Sequence, residues 1–295
     1  MYTAHFQLQE PPFGLTPDTS YFVASPPAQA ALNTLLVAVR SGEGFIKITG
    51  EVGTGKTLLC RKFMASLGED CLTAFLPNPY LTPRTLLLAL ADELGLDVDE
   101  RIDQHRLLKT ITQQLLMLAR QGKRVVLCLD EVQAMPRASL ESIRLLSNLE
   151  TEKRKLLQIV LFGQPELDLR LAAPDLRQLA QRISFHYQLA PLQRADLALY
   201  VAHRLQVAAV AGGSASALFS PAAISALHRA SGGVPRLVNI VAHKALMLAY
   251  GQGHAGVERA DVVRAAADTL GVRRAGWTLA GWLKALLHGP ARGLR

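Results

Sequence analysis

The 295-residue sequence is poor in cysteine, and its three thiols, Cys60, Cys71 and Cys128, are odd in number and widely spaced. They sit among apolar neighbours without metal-ligand spacing, so they read as buried reduced thiols and exclude a disulfide scaffold or zinc module. His203, His228 and His243 also lack metal-binding spacing and read as structural. No apolar run reaches the roughly 20 residues that cross a bilayer. The opening MYTAHFQLQE has neither a basic region nor an apolar signal core, which makes the cytoplasm the expected compartment. Acidic residues are missing from Gly271 onward, where Arg273, Arg274, Lys284, Arg292 and Arg295 lie. Those five account for most of the net charge of +8, so the body is close to neutral and is not a basic nucleic-acid surface.

With 49% hydrophobic and 19% charged residues, the composition is that of a packed soluble protein, long enough for one large α/β domain and a smaller one. The chain is organised around residues 44–57, GFIKITGEVGTGKT. Phe45, Ile46, Ile48 and Thr49 suit a buried parallel strand. The loop Gly50, Glu51, Val52, Gly53, Thr54, Gly55 follows, its glycines allowing successive amide N–H groups to turn inward around a polyphosphate. Lys56 supplies a point charge for the β- and γ-phosphates, and the Thr57 hydroxyl is placed to ligate Mg²⁺. The helix that continues through Leu58, Leu59, Phe63 and Leu67 aims its positive N-terminus at the same anion. Such a motif arises by chance in about one random chain of this length in a hundred, and a strand before it with a helix after it makes chance a poor account.

Before the loop, residues 1–25 are rich in proline and aromatics and read as an ordered extended arm laid over the core. Tyr21 and Phe22 either flank an adenine ring or merely pin that arm. Pro26 and Pro27 open a helix that runs to Ser41-Gly42. Beyond the loop helix come a strand at 71–76, a helix from Thr82 to Leu94 and another at 104–121. This alternation implies a parallel sheet covered on both faces. The strand 124–129 ends in Asp130-Glu131, at the sheet edge where ligands bind. Asp130 would hold Mg²⁺, directly or through water, and Glu131 would orient and polarise the attacking water of an ATP hydrolysis. A helix from Pro136 to about Thr151 precedes a buried strand at 156–162. Gln164 follows that strand, either as an amide facing the γ-phosphate or water, or as a turn residue before Pro165.

Residues 175–189 read as a short helix entering a fifth strand, with Arg182 at the junction and Arg177 a turn earlier. Thereafter the pattern is helical at 193–210, 221–231, 235–250 and 258–270. Arg236, in SGGVPR, stands in the first turn of the third of these, where the helix dipole disfavours positive charge. An anionic ligand facing Arg236 would explain the placement.

GEVGTGKT, VVLCLDE, the polar residue after the fourth strand, the arginines before the fifth and GGVPR together resemble an AAA+ ATPase in order and spacing. PFGLTPDTSYF, ALNTLLVAVRSGEGFIKITGEVGTGKTLLCR, LCLDEVQAMP, RLLSNLETEKRKLLQIVLFGQPELD and GGVPRLVNIVAHKALMLAYG are similar, more narrowly, to the ExeA/GspA group of secretion ATPases, on the side of the accessory ATPase of the mannose-sensitive haemagglutinin type IV pilus. The resemblance spans about residues 1–270. It implies an α/β fold: an AAA+ P-loop NTPase core of five parallel strands between helices, with a C-terminal all-helical lid. The domains would be 1–190 with its N-terminal arm, 191–271 as the lid and 272–295 as a basic tail. It implies Gln164 as first sensor, Arg236 as second sensor reaching the γ-phosphate from the lid, and Arg182 as the finger entering a neighbour's site, with Arg177 in reserve. The implied assembly is a ring with nucleotide between subunits, a hexamer being the candidate size. ExeA continues into a membrane span and a peptidoglycan-binding part. Neither is found in these 295 residues, so a wall-remodelling role is not carried over.

The expected activity is therefore ATP-driven assembly work on a pilus or secretion component at the inner membrane, with ATP and Mg²⁺ as cofactors. A DNA-associated AAA+ switch of transposition or replication-initiation type is the alternative. The near-neutral body and the lack of an appended helix-turn-helix weigh against it. A small-molecule kinase is weaker still, because the lid and its arginine account for the C-terminal region without an acceptor site. In the tail, Leu279, Trp282, Leu283, Leu286 and Leu287 share one helical face beside Trp277 and Lys284. Residues 277–287 either lie in a membrane interface or on a partner, or pack on the lid or a neighbouring subunit.

Overall fold

A computed structural model describes residues 2–152, 154–210 and 217–272. The tail at 277–287 lies outside the described residues. The described residues form two compact units, one within residues 17–190 and one combining residues 2–16 with the described residues from Pro191.

The first unit is a sheet between helices. Its elements, after a short helix α1 (Tyr2–His5) that belongs to the other unit, are α2 (Pro26–Arg40), β1 (Phe45–Gly50), α3 (Lys56–Ala65), β2 (Cys71–Leu76), α4 (Pro83–Glu93), α5 (Gln104–Arg120), β3 (Arg124–Leu129), α6 (Arg137–Leu146), β4 (Gln158–Gly163), α7 (Glu166–Leu171), α8 (Arg177–Ala180) and β5 (Phe185–Leu189). The strands are all parallel in the order β2-β3-β4-β1-β5. The helix expected from 136 to about 151 stops at Leu146.

Strand periodicity divides the core. Phe45, Val125, Leu127, Leu129, Ile159 and Leu161 face one cluster, packed under α4 to α8. Ile46, Ile48, Val126, Cys128, Val160 and Phe162 face the other, packed under α2 and α3. Residues of opposite parity enter opposite layers, so β3 and β4, buried on both faces, read as unbroken apolar runs. The Thr82 hydroxyl accepts from the Thr85 N–H at 3.3 Å and so starts α4. Asp103 starts α5 by accepting from His105 N at 3.0 Å and Arg106 N at 3.3 Å. Cys60 and Cys128 are buried as expected, but Cys71, at the start of edge strand β2, is partly exposed. Register brings Thr49 opposite Gly163 and Leu129 opposite Leu161, so β1, β3 and β4 end on one edge.

The second unit contains α9 (Arg194–Val207), α10 (Pro221–Ser231), α11 (Pro235–Gly251) and α12 (Arg259–Ala267). Small side chains on α11, Ala242, Ala245 and Ala249, are fully buried with Val238, Val241 and Leu246. Of the N-terminal arm expected on the α/β core, residues 17–25 belong to the α/β unit, whereas by contact residues 2–16 belong here. Phe6, Leu8 and Phe13 are buried, and Gln9 N donates to Ala208 O at 2.7 Å. The buried guanidinium of Arg204 donates to Pro12 O at 2.6 Å and Gly14 O at 3.2 Å, and the Asn239 amide donates to Gly14 O at 3.2 Å. These backbone carbonyls satisfy buried donors, which a string of residue types cannot announce. His243 meets the Tyr2 hydroxyl at 3.0 Å and His228 meets Leu192 O at 3.2 Å, so both serve packing within this unit.

The turn between α10 and α11 explains its glycine pair. Gly232 (φ +61°) terminates α10 with its N–H on His228 O at 2.9 Å. Gly233 has φ +77°, and a β-carbon there would lie 2.1 Å from Leu192 O. Gly253 has φ +71° but open space around it. Gly233→Ala should therefore destabilise the protein by at least ~2 kcal/mol more than Gly253→Ala, the excess being the cost of the backbone clash. Thermal or denaturant unfolding of the two variants checks this, and equal losses would contradict the close approach to Leu192.

Candidate functional site

The loop after β1 is shaped by contacts as well as by φ. A β-carbon at Gly50 would sit 2.9 Å from both Leu189 O and Thr54 Oγ1, so only glycine lets the loop leave the sheet here. Gly53 (φ +80°) and Gly55 (φ +99°) take left-handed angles. Glu51 and Val52 are exposed, whereas the Thr54 hydroxyl is buried and donates to Glu51 O at 2.8 Å. Leu58, in the first turn of α3, is half-buried.

Lys56 is almost wholly buried and its ammonium donates to Gly50 O at 2.8 Å and Glu51 O at 3.1 Å. Burial lowers its pKa, opposed chiefly by the carboxylates of Glu131 and Asp130. A buried cation held by its own loop's carbonyls stands ready for a stronger, anionic acceptor.

The Thr57 hydroxyl donates to Asp130 Oδ2 at 2.6 Å, and the Glu131 N–H donates to Oδ1 at 2.9 Å. Burial raises the Asp130 pKa, while the Thr57 and Glu131 bonds oppose the rise. A nearly buried carboxylate beside a hydroxyl is a hard oxygen pair of the kind Mg²⁺ takes, so the residues present fit that ion. Glu131 itself has φ +52°, an uncommon angle outside glycine, which turns the chain sharply after β3. Its Oε2 accepts from Gln164 Nε2 at 3.0 Å and from Gln133 Nε2 at 2.5 Å. The structure thus brings together Lys56, Thr57, Asp130, Glu131 and Gln164 at the carboxyl edge of β1, β3 and β4.

The arginines are placed differently. The Arg182 guanidinium, between α8 and β5, donates to Ser147 Oγ at 2.6 Å within its own chain. Arg177 is exposed at the start of α8. Arg236 is exposed in the first turn of α11, within the helical unit. Tyr21 ends, and Phe22 follows, a short turn capped by Asp18 next to α3, with the Lys62 ammonium 5.8 Å from the Phe22 ring centroid.

Two participants escaped sequence reading. Gln133 receives the Gln164 backbone N–H on its Oε1 at 2.9 Å while donating to Glu131. The Arg170 guanidinium, from α7, holds the carbonyl oxygens of Gln133 and Met135, the latter at 2.8 Å. The signal for Gln133 was a lone amide in an apolar turn, VQAM, two residues after the acid pair.

Among known proteins, residues 39–171 match the model of a family described as AAA domain. The chain is 43% identical over 286 residues to general secretion pathway protein A of Aeromonas hydrophila, covering 97% of this chain and 52% of that protein. It thus spans about half the length of this curated relative. Solved structures resemble it in fold at low identity. Cdc6p of Pyrobaculum aerophilum has a TM-score of 0.67 at 15% identity, covering 93% of this chain and 75% of the other. ORC2 of Aeropyrum pernix, solved as ADPNP–ADP complexes, has 0.64 at 17%, covering 88% and 70%. The RuvB branch-migration motor of Thermotoga maritima has 0.55 at 15%, covering 90% and 77%. A parallel five-stranded sheet flanked by helices, a glycine loop after β1 and a helical C-terminal part give this chain the fold of the AAA+ P-loop NTPases, in a sequence akin to the GspA/ExeA proteins.

Proposed function

We propose that this protein binds and hydrolyses Mg-ATP as an AAA+ assembly or accessory ATPase of type II secretion or of MSHA-type type IV pilus biogenesis, a counterpart of MshM. The observation that carries the catalytic reading is the Thr57–Asp130 bond at 2.6 Å with Glu131 beside it, its carboxylate held by Gln164. The secretion or pilus setting is supported by the 43% identity to a general secretion pathway protein along nearly the whole chain.

In this reading the loop Gly50–Leu58 wraps the phosphates with its backbone N–H groups, and Lys56 exchanges its loop carbonyls for phosphate oxygens. Mg²⁺, when bound, would neutralise phosphate charge between Thr57 and Asp130. Glu131 accepts the proton of the attacking water, and the Gln164 amide orients that water or the γ-phosphate. Arg236 serves as second sensor, so that the helical unit reports whether the γ-phosphate is present. Arg182 acts as finger in a neighbouring subunit of a ring, a hexamer in this proposal, which requires it to exchange Ser147 for a phosphate. Arg177, already exposed, is the second choice. The work is done on a pilus or secretion component at the inner membrane by a cytoplasmic protein, with residues 277–287 as a membrane or partner contact. No helix among the described residues is long and apolar enough to cross a membrane.

Glu131→Gln should lower the ATP turnover rate by about 10²-fold or more while leaving ATP affinity near wild type, since it removes the base and keeps the amide-compatible shape. Full turnover in that variant would remove Glu131 from the mechanism. Specific activity should rise with protein concentration, and Arg182→Ala should abolish the rise. Mixing Arg182→Ala with Glu131→Gln should restore part of the turnover, because each variant supplies what the other lacks at a shared site. Activity independent of concentration and untouched by Arg182→Ala would mean a self-contained site. Salt-sensitive binding to duplex DNA by a protein ending at residue 271 would instead favour a DNA-associated switch.

A further inference from the structure

The contacts around Glu131 form a closed bridge rather than a set of separate bonds. Gln133 Nε2 donates to Glu131 Oε2 at 2.5 Å, and Gln133 Oε1 accepts the backbone N–H of Gln164 at 2.9 Å. One amide side chain therefore spans from the carboxylate to the end of β4. The Gln164 side-chain amide reaches the same oxygen, Oε2, at 3.0 Å. These bonds leave Oε1 as the oxygen for a water proton.

The amide is itself held from three sides. Arg170 fixes the Gln133 backbone through its carbonyl. A short turn, with Ala134 N on Glu131 O at 2.9 Å, sets the spacing between Glu131 and Gln133. At Gly163 a β-carbon would lie 3.3 Å from Gln133 Oε1 and 2.7 Å from Leu167 Cδ2, so the amide lies close against bare backbone at the end of β4. Glu131 occupies a left-handed turn, and there the Gln133 and Gln164 amides hold its carboxylate by one oxygen.

We infer that Gln133 is a positioning residue: it fixes the Glu131 carboxylate relative to the end of β4, so that Glu131 stays aimed when the Gln164 side-chain amide turns away to phosphate or water. The inference rests on the reading of Glu131 as the base. A general base works only within hydrogen-bond reach of the proton it takes, so the clamp acts on the rate of the chemical step and not on nucleotide binding.

The test uses the full chain with Gln133→Leu, the isosteric Gln133→Glu, Glu131→Gln, and the double variant Glu131→Gln/Gln133→Glu. Gln133→Leu removes both halves of the bridge. Gln133→Glu keeps an acceptor for Gln164 N–H, replaces the donor to Glu131 with an acceptor and sets a second negative charge against that carboxylate. Both should lower kcat about 10- to 100-fold, the scale on which orienting hydrogen-bond partners act. KM, equilibrium ATP affinity and the unfolding midpoint should stay near wild type. Adding Gln133→Glu to Glu131→Gln should lower single-turnover hydrolysis no further, since its effect runs through the carboxylate. In the nucleotide-free protein, hydrogen exchange at the Gln164 amide should quicken in Gln133→Leu and stay slow in Gln133→Glu, separating the two ends of the bridge.

Full turnover in both Gln133 variants, with Glu131→Gln inactive, would overturn the clamp and leave the base in place. A loss of affinity or stability in parallel with kcat, in both variants, would reduce Gln133 to a packing residue and overturn the inference equally. Full turnover in Glu131→Gln would instead overturn the reading of the base on which the inference stands.

Discussion

The hydrogen bond from the Thr57 hydroxyl to the Asp130 carboxylate, 2.6 Å long, joins residues 73 apart in sequence, and the geometry of the site depends on it. Asp130 is nearly buried, and a buried carboxylate is costly unless donors surround it. Thr57 and the Glu131 N–H are those donors. The same bonds that make the carboxylate tolerable tie the first turn of α3 to the end of β3 across the edge of β4. The glycine loop, the acid pair and Gln164 are therefore registered to one another by the sheet and need no ligand to be brought together.

Lys56 shows the complementary solution for positive charge. Its ammonium is taken out of water by burial and compensated by two backbone carbonyls of its own loop. Those carbonyls carry only partial charges, and the nearby carboxylates belong to residues with other partners. The arrangement holds an electrostatic imbalance in a preformed shape, which a polyphosphate would resolve more fully than water. Reorganisation on binding would then be a matter of side chains and not of strands.

Much of this was legible because it is written in local pattern. The buried strand before the loop shows as Phe45, Ile46 and Ile48; the loop shows as Gly50, Gly53 and Gly55; and the second acidic segment shows as an apolar strand closing on Asp130-Glu131. The rest depends on groups that meet only in three dimensions. Gln133 looks like an ordinary turn residue until β4 brings Gln164 to its other end. Arg204 reads as one more charge on a helix, although its guanidinium is buried against the carbonyls of Pro12 and Gly14. For the same reason the proline-rich opening could be recognised as ordered but was expected on the α/β core, when its partners stand about two hundred residues later.

Those partners give the opening segment an unusual history during synthesis. Residues 2–16 leave the ribosome before the rest of the described chain, and Pro12 waits 192 residues for Arg204 and Gly14 waits 225 for Asn239. Residues 17–190 cluster as one compact unit and can complete their sheet in that interval, domains generally folding as units as the chain emerges. Phe6, Leu8 and Phe13 must meanwhile remain without the surfaces that bury them. The helical unit thus closes last and from both ends of the described chain, making the opening residues the final seal of a structure whose α/β half is already built.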